Sequence, residues 1–439
     1  MHVRVAREAA DPLTVTALAI GGEQEGNGVI LISCDLAMIS PELQASVREK
    51  VTALLPEVEA DAIIMNATHT HDAPVITDGF YPHPGGDVMT AAEGLEHVAA
   101  CAAEAALEAW ARRVPGTVER AFGHAVVGHN RRVVYADGHA EMYGATTRPD
   151  FRHIEGYEDH SVDMLFFRDA AGHLSGMAIV IPCPSQVEES LTTFSADFWH
   201  DIRVELRRRF GDGLPVLALC GAAGDQSPHF LLYGRQEEEM RRRGGVSERQ
   251  EIALRVGDAV ERALRCGGPE DSDQTVCHRC QRITCSPRRI TQAERDWAET
   301  ARSEALARGD DPGLWWPLML GDILERFDRG QPMPAYEAEL HALRIGEAVI
   351  VTNPFELYLD YALEIKARSL ATQTLTVQLA AGTGLYLPTE RAVQGGHYGA
   401  HPAVAPVGPE GGRELVEASL LLIRDIFTTH ADNPQDLNR

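Results

Sequence analysis

Four apolar runs of this chain stop abruptly in residues that can hold a metal, carry a proton or attack a carbonyl. They end in His69-Thr70-His71-Asp72, Pro182-Cys183-Pro184-Ser185-Gln186, Gly224-Asp225-Gln226-Ser227-Pro228-His229 and Asn353-Pro354-Phe355-Glu356, and a fifth run, "AAGTGLY", ends at Tyr386. In sheet-based enzymes ligands bind beyond the carboxyl ends of strands, where loops present side chains from a rigid base. One such burst means little, but five on separate strands are hard to attribute to chance. Residues two apart on a strand face the same way, so His69 and His71 project together if the strand in "DAIIMNATHT" continues through them. Neutral imidazole is the commonest zinc ligand, and a second histidine beside it can donate a hydrogen bond or shuttle a proton. The bland alternative is two polar residues where a sheet meets a loop.

A second cluster, "CHRCQRITC" at 277–285, contains a Cys-x-x-Cys. A structural zinc site needs four ligands, usually as two such pairs. Here one pair stands with His278 and Cys285 in a basic, loop-like stretch, and incidental surface thiols are the preferred reading.

The elements that must position these groups are legible from periodicity. "LTVTALAI" and "GVILISCDL" alternate like strands around the turn-rich "GGEQEGN", a hairpin. "SPELQASVREKVTALL" predicts a helix capped by Ser40, and an Ala-rich helix is expected over 90–113. A second hairpin spans 163–184, and a helix with a serine cap is predicted in "SADFWHDIRVELRRRF". The buried strand "LPVLALCGAAGD" follows. Residues 235–265 read as charged helix, and 266–285 as a linker or an edge. A third hairpin in "EAELHALRIGEAVIVTNPFEL", a helix in "YLDYALEIKARS", a strand in "QTLTVQLAAGTG" and a closing helix over 413–429 complete the chain. Strands and helices interleave, but hairpins join several strands. The predicted class is therefore α/β (mixed α+β), with layered mixed sheets flanked by helices.

Composition bounds the function. The chain has 439 residues, 65 Asp+Glu against 40 Lys+Arg, and a formal net charge of −25. That balance argues against nucleic acid and anionic membrane, both of which need basic patches. No run approaches the roughly 20 apolar residues of a membrane span, and the N-terminus lacks a signal-peptide pattern. Eight scattered cysteines, several inside apolar runs, fit reduced thiols and a cytoplasmic location. An acidic chain of this size is compatible with a homo-oligomer.

In order along the chain, "ATHTHDAP", "GHNRR", "GAAGDQSPH", "VTNPFEL" and "GLYLPTERAVQGGHYGA" resemble motifs of the neutral (non-lysosomal) ceramidases. The corresponding family segments are Thr-His-Thr-His-Ser-Gly-Pro, an Asn-Arg-Ser segment, Gly-(Asp/Asn)-x-Ser-Pro-Asn, a Pro-Gly-Glu-Phe turn, and Gly-Tyr-x-x-Thr-x-x-Glu-Tyr followed by Tyr-Glu-Gly-Ala. The resemblance runs from about residue 12 to residue 400 and concerns the catalytic domain of zinc amidohydrolases that cleave N-acyl sphingosine. It implies zinc ligands at His69, Glu356 and Tyr386, active-site roles for His71 and Arg131, a central hydroxyl at Ser227, and Tyr398 beside the scissile group.

The chain departs from the family in several places. "IPCPSQ" puts Cys183 where the family has a second zinc histidine, and a thiolate is a good replacement ligand. A buried inert cysteine is the competing reading. Asp72 replaces a serine and His229 an asparagine. The expectation is a single ceramidase-like domain over 1–439, with a charged helical insertion at about 235–335 and without the family's C-terminal β-domain. The expected activity is zinc-dependent amide hydrolysis of a small or polar N-acyl substrate, in which Zn²⁺ polarises the carbonyl and lowers the pKa of a water to about 7. The alternatives are an esterase, lactonase or carbohydrate-active hydrolase on the same scaffold, and a metal-binding protein without catalysis.

Overall fold

The computed structural model describes residues 4–21, 28–267 and 273–428. The predicted turn of the first hairpin, over 22–27, and residues 268–272 of the punctuated stretch lie outside them.

Three mixed sheets carry the architecture. The first pairs Val15–Ile20 antiparallel with Val29–Cys34, which runs parallel to Ile63–Ala67. The second orders Val216–Cys220, Leu174–Ile181, Ser161–Asp169 and Gly116–His124. The third orders Val276–Cys285, Tyr336–Ile345, Ala348–Thr352 and Gln373–Val377. One apolar cluster draws on all three, with Ile32 and Met65 from the first, Ala178 and Leu217 from the second, and Ile350 and Leu375 from the third. Each fully buried aliphatic side chain there contributes on the order of 1.5–3 kcal/mol. The hairpins and the α/β class are as the periodicity predicts.

Each sheet contains one parallel pair, and this positions the polar bursts. Parallel neighbours finish side by side, so Cys34 ends beside Ala67, Ile181 beside Cys220, and Thr352 beside Val377. Backbone hydrogen bonds then tie the three sets of ends together. Thr68 N–H donates to the Cys34 carbonyl at 3.0 Å, Ser185 to Thr68 at 3.3 Å, Gln378 to Cys220 at 2.9 Å, and Ala67 to Leu379 at 3.1 Å. The residues following six strands are thereby gathered at one place.

Local signals account for the helices. Ser40 caps Pro41–Thr52 by accepting from Leu43 N–H, with Pro41 in the first turn, where its missing donor costs nothing. Thr90 and Glu93 form a capping box on Ala91–Ala111. Three expectations shift. Phe198–Phe210 is capped by Asp197 rather than a serine, because Ser195 is drawn away to Asp11 at 2.7 Å. The closing helix begins earlier than expected, at Pro409. The cysteine stretch, read as a linker or an edge with surface thiols, is the edge strand Val276–Cys285, and it buries Cys277 and Cys285. No helix among the described residues is long and apolar enough to cross a membrane.

Candidate active site

The loop after Ile63–Ala67 divides its labour between residue types. Thr68 Oγ1 donates to Asp35 at 3.1 Å and Thr70 Oγ1 to the Ser195 carbonyl at 2.6 Å. Asp35 is itself clamped by Arg203 at 2.7 and 3.0 Å and by Thr14 at 2.8 Å. The threonines thus anchor the loop on both sides. The strand does not continue through the histidines: it stops at Ala67, and His69 takes a left-handed φ of 64°. The two rings still meet, edge to face, with centroids 5.0 Å apart.

His69 is buried and its tautomer is set by a carbonyl. Nδ1–H donates to Ala37 O at 2.5 Å, which turns Nε2 toward Glu356 Oε2 at 3.4 Å. Glu356 reaches that position through backbone register: Glu356–Leu357 runs parallel to Tyr386–Leu387, with Glu356 opposite Tyr386. The Tyr386 hydroxyl bonds the same carboxylate. Three groups expected to share a metal, drawn from positions 69, 356 and 386, therefore converge.

The buried Arg131 backs this group. Its Nη2 donates to Gly224 O at 3.0 Å and to the Tyr386 hydroxyl at 3.4 Å, and its Nη1 to the Tyr143 hydroxyl at 2.9 Å and Gln186 Oε1 at 3.3 Å. Arg131 Nε is buried without a hydrogen-bond partner among the described residues. Burial works to raise the Glu356 carboxyl, but His69, Arg131 and Tyr386 together bring it below its ordinary value. Burial would lower the His69 imidazole, yet Glu356 and the Ala37 carbonyl leave it raised. Burial pushes the His71 imidazole down to about 3, with His69 adding to the effect.

The turn carrying Ser227 is held by two buried side chains. Asp225 accepts from Leu359 N–H and Asn130 Nδ2, both at 2.9 Å, and its carbonyl takes Arg131 N–H at 2.9 Å. Gln378 Oε1 accepts from Ala223 N–H at 3.0 Å and Leu357 N–H at 2.9 Å, locking the turn to the Glu356 strand. Ser227 is fully buried, and its hydroxyl accepts from His229 N–H at 3.3 Å. Tyr398 is 42% exposed and lies edge-on to Tyr386, with ring centroids 5.5 Å apart.

Cys183 is not brought into the group. Its thiol donates to the Pro184 carbonyl at 3.5 Å, and the side chain packs in an apolar cluster with Ile181, Phe198 and Trp199. Burial pushes this thiol well above its ordinary value. Among the described residues, three His, Cys, Asp or Glu ligand atoms lie within 4.8 Å of one another only at Cys280, Glu339 and His341.

Sequence reasoning missed two features around the site. Gln186 Nε2 donates to the Tyr143 hydroxyl at 2.7 Å and to Glu189 at 2.5 Å, and Glu189 lies 3.5 Å from His229, so a polar belt extends from Arg131. From Tyr398, rings follow one another through His401 to Trp297 and Trp316, then Trp315 and Phe80. The three tryptophans come from the region expected as an insertion. A tryptophan pair in "GLWWP" was the only signal available for this wall.

No protein-family model matches the sequence, and no curated protein matches it. Solved structures do match in shape, two ceramidases among them. A ceramidase in complex with C2 aligns with a TM-score of 0.67 at 14% identity, over 94% of this chain and 70% of that one. The fold is that of the neutral ceramidases. The neutral ceramidase from Pseudomonas aeruginosa aligns with a TM-score of 0.65, also at 14% identity, over 92% of this chain and 67% of its own. At that identity the ceramidase fold is shared while most side chains differ, so the chemistry rests on the residues described above.

Proposed function

We propose that this chain is a zinc-dependent hydrolase that cleaves the amide bond of a small or polar N-acyl substrate. The observation that carries the reading is the approach of His69 Nε2 to Glu356 Oε2 at 3.4 Å, with the Tyr386 hydroxyl on the same carboxylate. Two ligands about 2.0–2.1 Å from a tetrahedral zinc lie roughly 3.4 Å apart, so the pair has the spacing the ion requires. The Nδ1–H bond to Ala37 O adds the orienting partner that a ligating histidine needs on its other nitrogen. When bound, zinc supplies Lewis-acid polarisation of a carbonyl and lowers the pKa of a water.

The chain's own groups do the rest. His69, Glu356 and Tyr386 would hold the ion, and Cys183 stays in the apolar packing. Ser227 presents a hydroxyl on a rigid turn, as nucleophile or as donor to the developing oxyanion. His71, whose ring meets that of His69 edge to face, is the candidate general acid or base. The unpartnered Nε–H of Arg131 offers a donor to a substrate oxygen, and Tyr398, edge-on to Tyr386, would flank the scissile group. All eight cysteines are free thiols, which fits action in a reducing compartment such as the cytoplasm.

The test is a panel of amides, esters and glycosides with matched substituents, including long-chain ceramide, assayed before and after chelation. Turnover of small amides that disappears with the metal and returns with Zn²⁺ is expected, with little on long-chain ceramide. Full activity in a metal-free preparation ends the proposal. Preference for ester or glycoside would reassign the bond.

A further inference from the structure

The cysteine stretch that a sequence reader would fold into a knuckle is a strand, and strand geometry separates its two cysteines. Successive side chains point to opposite faces, so Cys277 turns to the buried side while His278, Cys280 and Arg282 share the other. Antiparallel pairing with Tyr336–Ile345 sets Cys280 directly opposite His341 and Arg282 opposite Glu339. Directly opposed residues have Cβ atoms about 4.5–5.5 Å apart. Register between two strands has therefore assembled a ligand set that the Cys-x-x-Cys spacing could not.

We infer that Cys280 Sγ, His341 Nε2 and a Glu339 carboxylate oxygen form a second zinc site, separate from the active site. Their ligand atoms all lie within 4.8 Å of one another. His341 is buried, and its Nδ1 meets His278 Nε2 at 3.0 Å, with the two rings stacked. That contact orients the imidazole and leaves Nε2 to face Glu339 Oε1 at 2.9 Å, which is the partner arrangement of a ligating histidine. A thiolate, an imidazole and a carboxylate together suit zinc rather than magnesium or calcium. On binding, the Cys280 S–H bond gives way to a sulfur–metal bond and the proton leaves to solvent.

The neighbouring charges explain Glu339 but not its companions. Arg48 reaches Glu339 at 2.6 and 3.3 Å, Arg282 at 2.6 Å, and Arg282 also holds Asp61 at 2.8 Å. Two guanidiniums and two carboxylates balance without help from a thiol or a stacked pair of imidazoles. The metal takes one Glu339 oxygen in competition with Arg48, so affinity is moderate, and the bound ion pins the edge strand Val276–Cys285 to its neighbour.

The experiment uses the full chain carrying His69→Ala and Glu356→Gln, so that the active site cannot contribute. Titration of the metal-free protein with Co²⁺ is expected to raise a thiolate-to-cobalt charge-transfer band at one equivalent, displaced by Zn²⁺. Adding Cys280→Ser removes the band, and adding His341→Gln weakens binding at least about tenfold. No band, or a band that survives Cys280→Ser, overturns the inference. X-ray absorption of the zinc form gives a check that does not depend on Cys280 or His341 variants folding. One sulfur at about 2.3 Å beside nitrogen and oxygen at about 2.0–2.2 Å is expected, and a shell without sulfur overturns the site.

Discussion

Gly224→Ala tests the geometry that brings Glu356 to the site. A Cβ at this position would lie 2.3 Å from the Glu356 carbonyl oxygen, and 2.9 Å from both the Glu356 carbonyl carbon and Tyr358 Cδ1. Ordinary contact begins at 3.4 Å, so the Glu356 backbone must withdraw by about 1 Å. Such overpacking costs about 1–3 kcal/mol. The withdrawal also stretches the 2.8 Å bond from Gly224 N–H to Leu357 O, adding about 1 kcal/mol. The expected loss is therefore about 2–4 kcal/mol, read as a lower urea midpoint at unchanged slope. Metal sites tolerate ligand displacements of only about 0.2 Å, so zinc affinity measured calorimetrically falls at least about tenfold. Gly213→Ala is the control, because nothing lies within 4 Å of its added Cβ, and it stays within about 0.5 kcal/mol of the parent. A Gly224→Ala protein with the parent's midpoint and zinc affinity would refute the close approach on which the site is built.

Three further outcomes are expected. Glu356→Gln keeps the shape of the side chain but removes a ligand charge, and zinc affinity drops by at least about 100-fold, or about 2.8 kcal/mol, by calorimetry on chelated protein. Cys183→Ser leaves zinc content unchanged by elemental analysis while lowering stability by about 1–3 kcal/mol, since a hydroxyl replaces a thiol in apolar packing; loss of zinc would return Cys183 to the ligand set. The Arg208 and Arg209 guanidiniums hold the Glu205 carboxyl down at about 2 against the opposing effect of burial. A depressed carboxyl stabilises the fold above its unfolded pKa of 4.5 and loses that contribution as pH falls toward about 2. Glu205→Gln should accordingly cost about 1 kcal/mol at pH 7 and nothing near pH 2, by urea titration at each pH; a constant difference would contradict the pairing.

Much of the site was legible because its signals are short-range. Ser40 and Thr90 act on N–H groups three residues ahead, and each hairpin is written within about twenty residues, so sequence spacing is nearly spatial spacing. The same reasoning failed where a distant partner competes. Asp11 takes Ser195 and leaves Asp197 to cap the helix. The hold of Asp35 and Ser195 on the two threonines turns His69 out of the strand it follows. Trp297, Trp315 and Trp316 line up with Tyr398 through ring contacts that no periodicity encodes.

By itself the sequence determined which residues could do chemistry and that they follow apolar strands, because hydrophobic alternation and strand-end polarity are local properties of a chain. Only the tertiary structure decided which of them meet. Parallel pairing set Glu356 against Tyr386, antiparallel register set Cys280 against His341, and close packing kept Cys183 among apolar side chains. The physical reason is that strand register and sheet packing are settled by contacts between residues far apart in the chain, and a shift of one position would turn the paired side chains to the opposite face.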